Sequence, residues 1–416
     1  MLRLPPNSFL LFFLMIRRPP RSTLDRSSAA SDVYKRQWIF GTQIQKEEGE
    51  YAPGDIVQVF DKRRRPLGQG YINPASMIRI RLLTPHLEDR INKAFITERI
   101  VAAWQYRLRM GHGSSCRVVF GEADGLPGLV VDKFQDVGTK KLVLSVQFLT
   151  LGMERWKDVV LEALNATIKP DGVYLRNDVP IREKEGLEQY KGFADKPFDT
   201  DLIIDENGLR ISVDVAGGQK TGHFLDQVAN HAAMQQISSG NRVLDCFTHT
   251  GGFGLHAAHY GAKEVYGIDI SEDAITQAKR NTALNKLKNI SFGKANVFDY
   301  LTDASSKGEQ WDVIVLDPPA FAKSKSAIDN AYRGYKEINL RALKCITKGG
   351  FLVTCSCSQH MGPELFRKMI AEAGVDAGRR LREVYYGTQP TDHPILWGVP
   401  ESVSYTHLTL PTSDLV

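Results

Sequence analysis

The chain has 416 residues, too many for one typical domain, and its 42% hydrophobic and 24% charged residues are the mix of a globular protein with an adequate core. A net charge of +5 permits a polyanionic partner without demanding one. Five cysteines without regular spacing make no disulfide framework and point to a reducing, cytoplasmic setting, and no apolar run reaches the roughly 18 residues needed to span a membrane.

In chain order, "FLLFFLMI" (9–16) comes first and is followed by "RRPPRSTLDRSS", the reverse of the charge order of a secretory signal. The stretch from there to "DVYKRQ" is similar to translated sequencing-adapter read-through, and "VSYTHLTLPTS" (403–413) is similar to its counterpart at the other end. Residues 1–37 and 403–416 are therefore expected to be non-native tails. Next, "IVQVF" and "MIRIRLL" alternate between turn signals at Arg65-Pro66, Gly68 and Asn73-Pro74, so 51–84 reads as a small β unit, within a first domain taken as 38–86. It concentrates base at Lys62, Arg63, Arg64, Arg65, Arg79 and Arg81, which suits either a solvated hairpin tip or a phosphate-contacting loop. Residues 88–110 show helical spacing of Ile91, Phe95, Ile96, Ile100 and Ala103. Two strand-like runs, the amphipathic "MERWKDVVLEALNATI" and "GVYLRND" follow, giving a compact α/β subdomain over 87–196.

Over 197–402 the pattern changes. "RVLDCF", "EVYGIDI", "NISFGKANV", "WDVIVLDPP" and "GGFLVTCSCS" are apolar β runs separated by helical segments, which predicts a parallel, doubly wound sheet. Ligands of such sheets sit past the carboxyl ends of the strands. The turn "VLDCFTHTGGFG" (243–254) is glycine-rich but is not G-x-G-x-x-G, which disfavours a nicotinamide dinucleotide. Asp245, Asp269, Asp299 and Asp317 each fall near the end of a strand, on one rim. Each alone reads as a turn or cap acid, but their repetition at one topological place points to a ligand site.

That carboxylate pattern with "DPPAF" resembles the class I S-adenosylmethionine-dependent methyltransferases. More closely, "GQKTGHFLDQ" (218–227), "RGYKEIN" (333–339), "VTCSCS" and "TDHPIL" (391–396) resemble the RlmI-type 23S rRNA cytosine-C5 methyltransferases. "EADGLPGLVVDKF" and "DVPIREKEGLE" are similar to that family's central domain, and the β unit at 51–84 to its PUA domain; together the resemblance covers roughly 38–401. It implies a Rossmann-like seven-stranded methyltransferase domain, S-adenosylmethionine as cofactor and ribosomal RNA as partner, with no membrane and a homodimer left open. It also implies roles. Asp245, Thr250 and Gly251 would line the methionine side, Asp269 the ribose, and Asn296 and Asp299 the adenine. Lys220, Thr221 and Phe224 would close over the methionine portion, with Asp226 and Gln227 behind. Asp317, Pro318, Pro319 and Phe321 would frame the target base, and Arg63 and Arg64 would touch RNA phosphate. Two departures stand out: Val228 and His231 occupy positions where the family commonly has arginine.

Cytosine C5 chemistry of this kind needs a thiolate that adds at C6. The chain offers "VTCSCSQ" (353–359) at the end of the fifth run. Zinc sites use wider spacing and more ligands, so no metal is expected, and a disulfide across one residue is strained. Positions i and i+2 of a strand share a face, at different depths. Cys357, nearer the mouth and in the family's "SCS", is the expected nucleophile; Cys355 fits core filling, while a "TCS" nucleophile in other RNA methyltransferases keeps it a candidate. The residue after "PP", often cysteine in those enzymes, is Ala320, which leaves Asp317 as the acid for the pyrimidine ring. Two other readings compete: amino-group methylation of a base through "DPPAF", and a non-catalytic RNA-binding protein that kept its cofactor pocket.

Overall fold

The computed structural model describes residues 37–321, 328–358 and 361–396. These fall into two compact units: one takes the residues up to Leu202, with Asp214–His223 and those from Thr391 on, and the other takes Ile203–Val213 and Phe224–Pro390. The proposed tails lie outside the described residues except for Gln37, whose carbonyl accepts a hydrogen bond from the Leu82 amide. Among the described residues no helix is long and apolar enough to cross a membrane.

The first unit opens with an antiparallel sheet of β1 (Trp38–Phe40), β2 (Ile56–Phe60), β3 (Pro66–Ile72) and β4 (Ile78–Thr84), ordered β1-β4-β3-β2. After α1 (Lys93–Arg109), capped by the Asn92 side chain on the Phe95 amide, comes a second sheet. It runs β5 (Cys116–Phe120), β6 (Leu129–Gln135), β7 (Leu142–Phe148), β8 (Gly172–Asn177) and β9 (Tyr190–Phe193). Only β7 and β8 are parallel, and α2 (Lys157–Ile168) supplies their crossover.

The two sheets fall in one compact unit and are joined by a buried polar seam. Tyr71 of β3 is 1% exposed and donates its hydroxyl to the Pro127 carbonyl at 2.5 Å. Buried Glu185 accepts from Asn73 at 2.8 Å, Ser76 at 2.6 Å and Arg81 at 3.2 Å. A buried carboxylate so bonded is held, whereas one left bare would be expensive. Arg81, counted with the surface base on sequence grounds, is therefore internal and belongs to this seam.

The second unit holds a hairpin, β10 (Asp201–Glu206) and β11 (Leu209–Asp214), turned by Asn207-Gly208 with φ of 52° and 87°. Its main sheet is parallel throughout, ordered β14-β13-β12-β15-β16: β12 (Arg242–Cys246), β13 (Glu264–Asp269), β14 (Ile290–Lys294), β15 (Trp311–Leu316) and β16 (Ile346–Thr354). The connecting helices are α4 (Gly252–His259), α5 (Glu272–Leu284), α6 (Val297–Ser306) and α7 (Ile328–Lys344); α3 (Val228–Ala233) precedes the sheet and α8 (Pro363–Asp376) follows it. The apolar runs are continuous because both faces are covered. Leu244, Cys246, Ile314, Leu316 and Leu352 face one core, and Val243, Val265, Val313, Val315, Val353 and Cys355 face the other. Among the described residues this sheet holds five strands. Chain order reverses between β12 and β15, which sets the ligand crevice at their carboxyl ends.

Candidate active site

The rim begins in β12. Asp245 is 1% exposed, and its Oδ2 accepts from Thr248 Oγ1 at 2.5 Å and from the Gly254 amide at 2.8 Å. Its Oδ1 is buried with no hydrogen-bond partner among the described residues. Burial pushes this carboxyl up to about 6, against the pull of the Thr248 and Gly254 bonds. Gly254 is required here: a Cβ would stand 2.9 Å from Asp245 Oδ2. Between strand and helix the chain is wound tightly, with Phe247 at φ 60°, His249 at 50° and Gly251 at 92°. Two non-glycine residues in the left-handed region mark a backbone held by its surroundings, as at many ligand sites.

Asp269 ends β13 and fastens this loop. Its Oδ2 accepts from the His249 amide at 2.9 Å and its Oδ1 from the Ser271 amide at 2.9 Å. Thr250 is half-buried, and its carbonyl accepts from Asn281 of α5 at 3.1 Å. Beside Asp269 stands Ile270, 69% exposed, an apolar surface that carboxylate spacing alone did not reveal. Past β14, Asn296 caps α6 by accepting from the Phe298 and Asp299 amides, and Asp299 lies exposed in that helix's first turn. Phe224 meets His249 edge-on, ring centroids 5.2 Å apart.

Beyond β15, Asp317 is half-buried, Pro318 buried and Pro319 exposed. Gln227 reaches Asp317 Oδ2 at 3.4 Å and is itself held by Asn230 at 2.8 Å. That partnership was hidden in "FLDQ", whose glutamine lies 90 residues away in sequence. Phe321 packs its ring on Tyr335 of α7 at 4.6 Å.

β16 ends at Thr354, so the strand alternation expected for the two cysteines does not extend to them. Cys355 is 1% exposed in the core over α4, and burial pushes its thiol well above the ordinary range. Cys357 is exposed, with its thiol 3.9 Å from the Pro318 carbonyl. Cys246 and Cys345 are buried in the opposite core, their thiols likewise raised by burial.

The remaining expected residues lie in the first unit. Lys220 is exposed, and Thr221 is buried with its hydroxyl donating to Asp132, which also pairs with Arg117. Arg63 and Arg64 are exposed at the β2–β3 tip, where Asp61 accepts from the Arg63 and Arg65 amides.

His231, the departure from arginine, joins a buried group. Its Nδ1 lies 2.6 Å from Glu206 Oε1, and its ring stacks on His256 at 5.1 Å and 28°. His256 Nδ1 faces the Gly252 carbonyl at 2.7 Å and so carries the proton, leaving Nε2 to accept from Asn207 at 3.2 Å. Burial pushes His256 down to about 4. Glu206, His231 and His256 bring three ligand-type atoms within 4.8 Å. A ligating nitrogen binds in its own ring plane, however, and two nearly parallel stacked rings do not converge on one ion. The trio is a hydrogen-bonded brace of β10, α3 and α4.

The rim of the second unit fits an aminoacyl-nucleoside cofactor. The unpartnered, buried Asp245 Oδ1 suits an ammonium group, Asp269 suits ribose hydroxyls, and Ile270 suits the face of a purine.

Residues 179–383 match the family described as S-adenosylmethionine-dependent methyltransferase, and residues 26–85 match a PUA-like domain. The chain is 37% identical over 389 residues to "Ribosomal RNA large subunit methyltransferase I" of Cronobacter sakazakii, covering 92% of this chain and 97% of that protein. The protein of the same name from Tolumonas auensis is 39% identical over 385 residues, with 91% and 96% covered. Among solved structures, a Streptococcus mutans protein assigned to the SAM-dependent methyltransferases superposes with a TM-score of 0.78 at 18% identity, covering 96% of this chain and 100% of that one.

Proposed function

Since the chain belongs to the ribosomal RNA large subunit methyltransferase I family and takes S-adenosylmethionine as its cofactor, we propose that it methylates C5 of a cytosine in large-subunit rRNA through a covalent Cys357 adduct. The observation that carries this reading is the contrast within "CSC": Cys357 is exposed on the rim beside Pro318, and Cys355 is sealed in the core. Bound there, S-adenosylmethionine supplies an electrophilic methyl group on a sulfonium sulfur.

Cytosine C5 is too weakly nucleophilic to take that methyl unaided. The Cys357 thiolate adds to C6, forming a C–S bond and moving the C5=C6 electron pair to C5. C5 then bonds to the methyl carbon as the carbon–sulfonium bond breaks. A base takes the C5 proton, the pair it leaves re-forms C5=C6, and the Cys357 thiolate departs. Asp317, steadied by Gln227, presents its carboxyl to the polar edge of the ring, between Pro318 and Pro319. Asp245 orients the cofactor's amino group, Thr250 and Gly251 flank it, Asp269 takes the ribose, and Ile270 with Asn296 and Asp299 border the adenine. Lys220 and Thr221 are assigned to the cofactor by resemblance alone. Arg63 and Arg64 add sequence-independent phosphate contacts in the PUA-like domain.

Amino-group methylation gains nothing from the geometry. It calls for an aromatic ring after the prolines to stack on the base, and Phe321 instead packs on Tyr335. Nucleoside mass analysis of large-subunit rRNA from a strain lacking the gene tests the proposal. One 5-methylcytosine should disappear, return with the wild-type gene and stay absent with Cys357→Ala. Unchanged methylation at every cytosine would refute it.

A further inference from the structure

The proposed nucleophile stands among the residues that leave the sheet after Thr354, where the Cys355 amide makes the last bond to β15, donating to the Leu316 carbonyl at 2.8 Å. What fixes them lies underneath. Tyr335, in the middle of α7, is 0% exposed. Ser356, also buried, donates its hydroxyl to the Tyr335 hydroxyl at 3.2 Å, and Ser356 Oγ accepts from the Ser358 amide at 3.4 Å. The same phenol oxygen is hydrogen-bonded by the Phe321 backbone, and the Phe321 ring packs on the Tyr335 ring at 4.6 Å. On its other side Phe366 of α8 meets Tyr335 edge-on at 5.6 Å, and Asn339 donates to the Tyr335 carbonyl at 2.8 Å. One buried hydroxyl therefore ties the segment carrying Cys357 to the segment carrying Asp317, Pro318 and Pro319.

Resting on the reading of Cys357 as nucleophile, we infer that Tyr335 is a positioning residue for the methyl-transfer reaction, acting through Ser356 to hold the thiol against the Asp317-Pro318-Pro319 loop. A core tyrosine serving only to fill space would need no hydroxyl, because phenylalanine fills the same volume. Here the hydroxyl is the joint. Covalent attack needs the sulfur close to C6 and aligned with it, and a misplacement of about 1 Å costs on the order of 100-fold in rate.

The test compares full-length wild type, Tyr335→Phe, Ser356→Ala and the double variant in single-turnover methylation of large-subunit rRNA at saturating S-adenosylmethionine, with Cys357→Ala as reference. S-adenosylhomocysteine affinity and melting temperature are measured on each. Each single variant is expected to bind S-adenosylhomocysteine within about twofold of wild type and to transfer methyl groups roughly 10- to 100-fold more slowly. The double variant should be no slower than the worse single one, since both remove one linkage. A structural role alone would lower the melting temperature and leave the rate per folded molecule unchanged. If Cys357→Ala is inactive and Tyr335→Phe keeps the wild-type rate, the positioning role is refuted while the cysteine mechanism stands. If Cys357→Ala keeps full turnover, both fall.

Discussion

Asp245→Asn should weaken cofactor binding and stabilise the ligand-free protein, two effects of opposite sign from one atom. Asparagine can keep the bonds from Thr248 and Gly254 through its remaining oxygen, while its amide replaces the unpartnered Oδ1. A donor would then face the cofactor's ammonium group. Loss of one charge-assisted hydrogen bond costs about 1.5–3 kcal/mol, or roughly 10- to 150-fold in Kd. The free protein responds the other way. Held at about 6 against an ordinary 3.8, the ionised carboxylate costs the folded chain about 3 kcal/mol at pH 8, an upper bound on what asparagine recovers. Because the folded-state pKa is the higher one, this cost is absent below the unfolded value, grows as pH rises through about 6 and is complete above it. Calorimetric titration with S-adenosylhomocysteine and thermal unfolding at pH 5 and pH 8 measure both arms. Wild-type affinity should also fall as pH drops below about 6, where Asp245 takes up a proton. An Asp245→Asn variant that binds like wild type, or that melts lower than wild type at pH 8, would refute the assignment.

Cys357→Ala should abolish methyl transfer and leave S-adenosylhomocysteine affinity unchanged, whereas Cys355→Ala should remain active and lose about 1 kcal/mol of stability from the core, read by turnover and denaturant unfolding. Arg63→Ala and Arg64→Ala should each lower the salt dependence of RNA affinity by about one charge without changing the methylated position, measured by filter binding from low to high salt. Gly254→Ala would put a methyl 2.9 Å from Asp245 Oδ2 and 3.3 Å from Ile290, so it should cost about 1–3 kcal/mol in unfolding and disturb cofactor binding along with it.

The parallel sheet was legible because its strands are buried on both faces and read as unbroken apolar runs, the first four with a carboxylate near the end. Asp245, Asp269 and Asp317 fall on the rim that this pattern predicts. What escaped the sequence was long-range pairing of polar residues. Arg81 looks like surface base in "MIRIRLL", and only its meeting with Glu122 and Glu185 makes it internal. His231 reads as a lost arginine until Glu206 and His256 are seen beside it. The cysteine pair was judged by strand alternation, but β16 ends at Thr354, before both cysteines. Burial, rather than facing direction, separates Cys355 from Cys357.

Incubating the full-length protein and S-adenosylmethionine with rRNA carrying 5-fluorocytosine tests the central claim most directly. Fluorine at C5 cannot leave as a proton does, so the C6 thioether should accumulate. Peptide mapping of the trapped complex should find the nucleotide on Cys357. A nucleotide on Cys355, or no adduct under conditions where unmodified RNA is methylated, would contradict it.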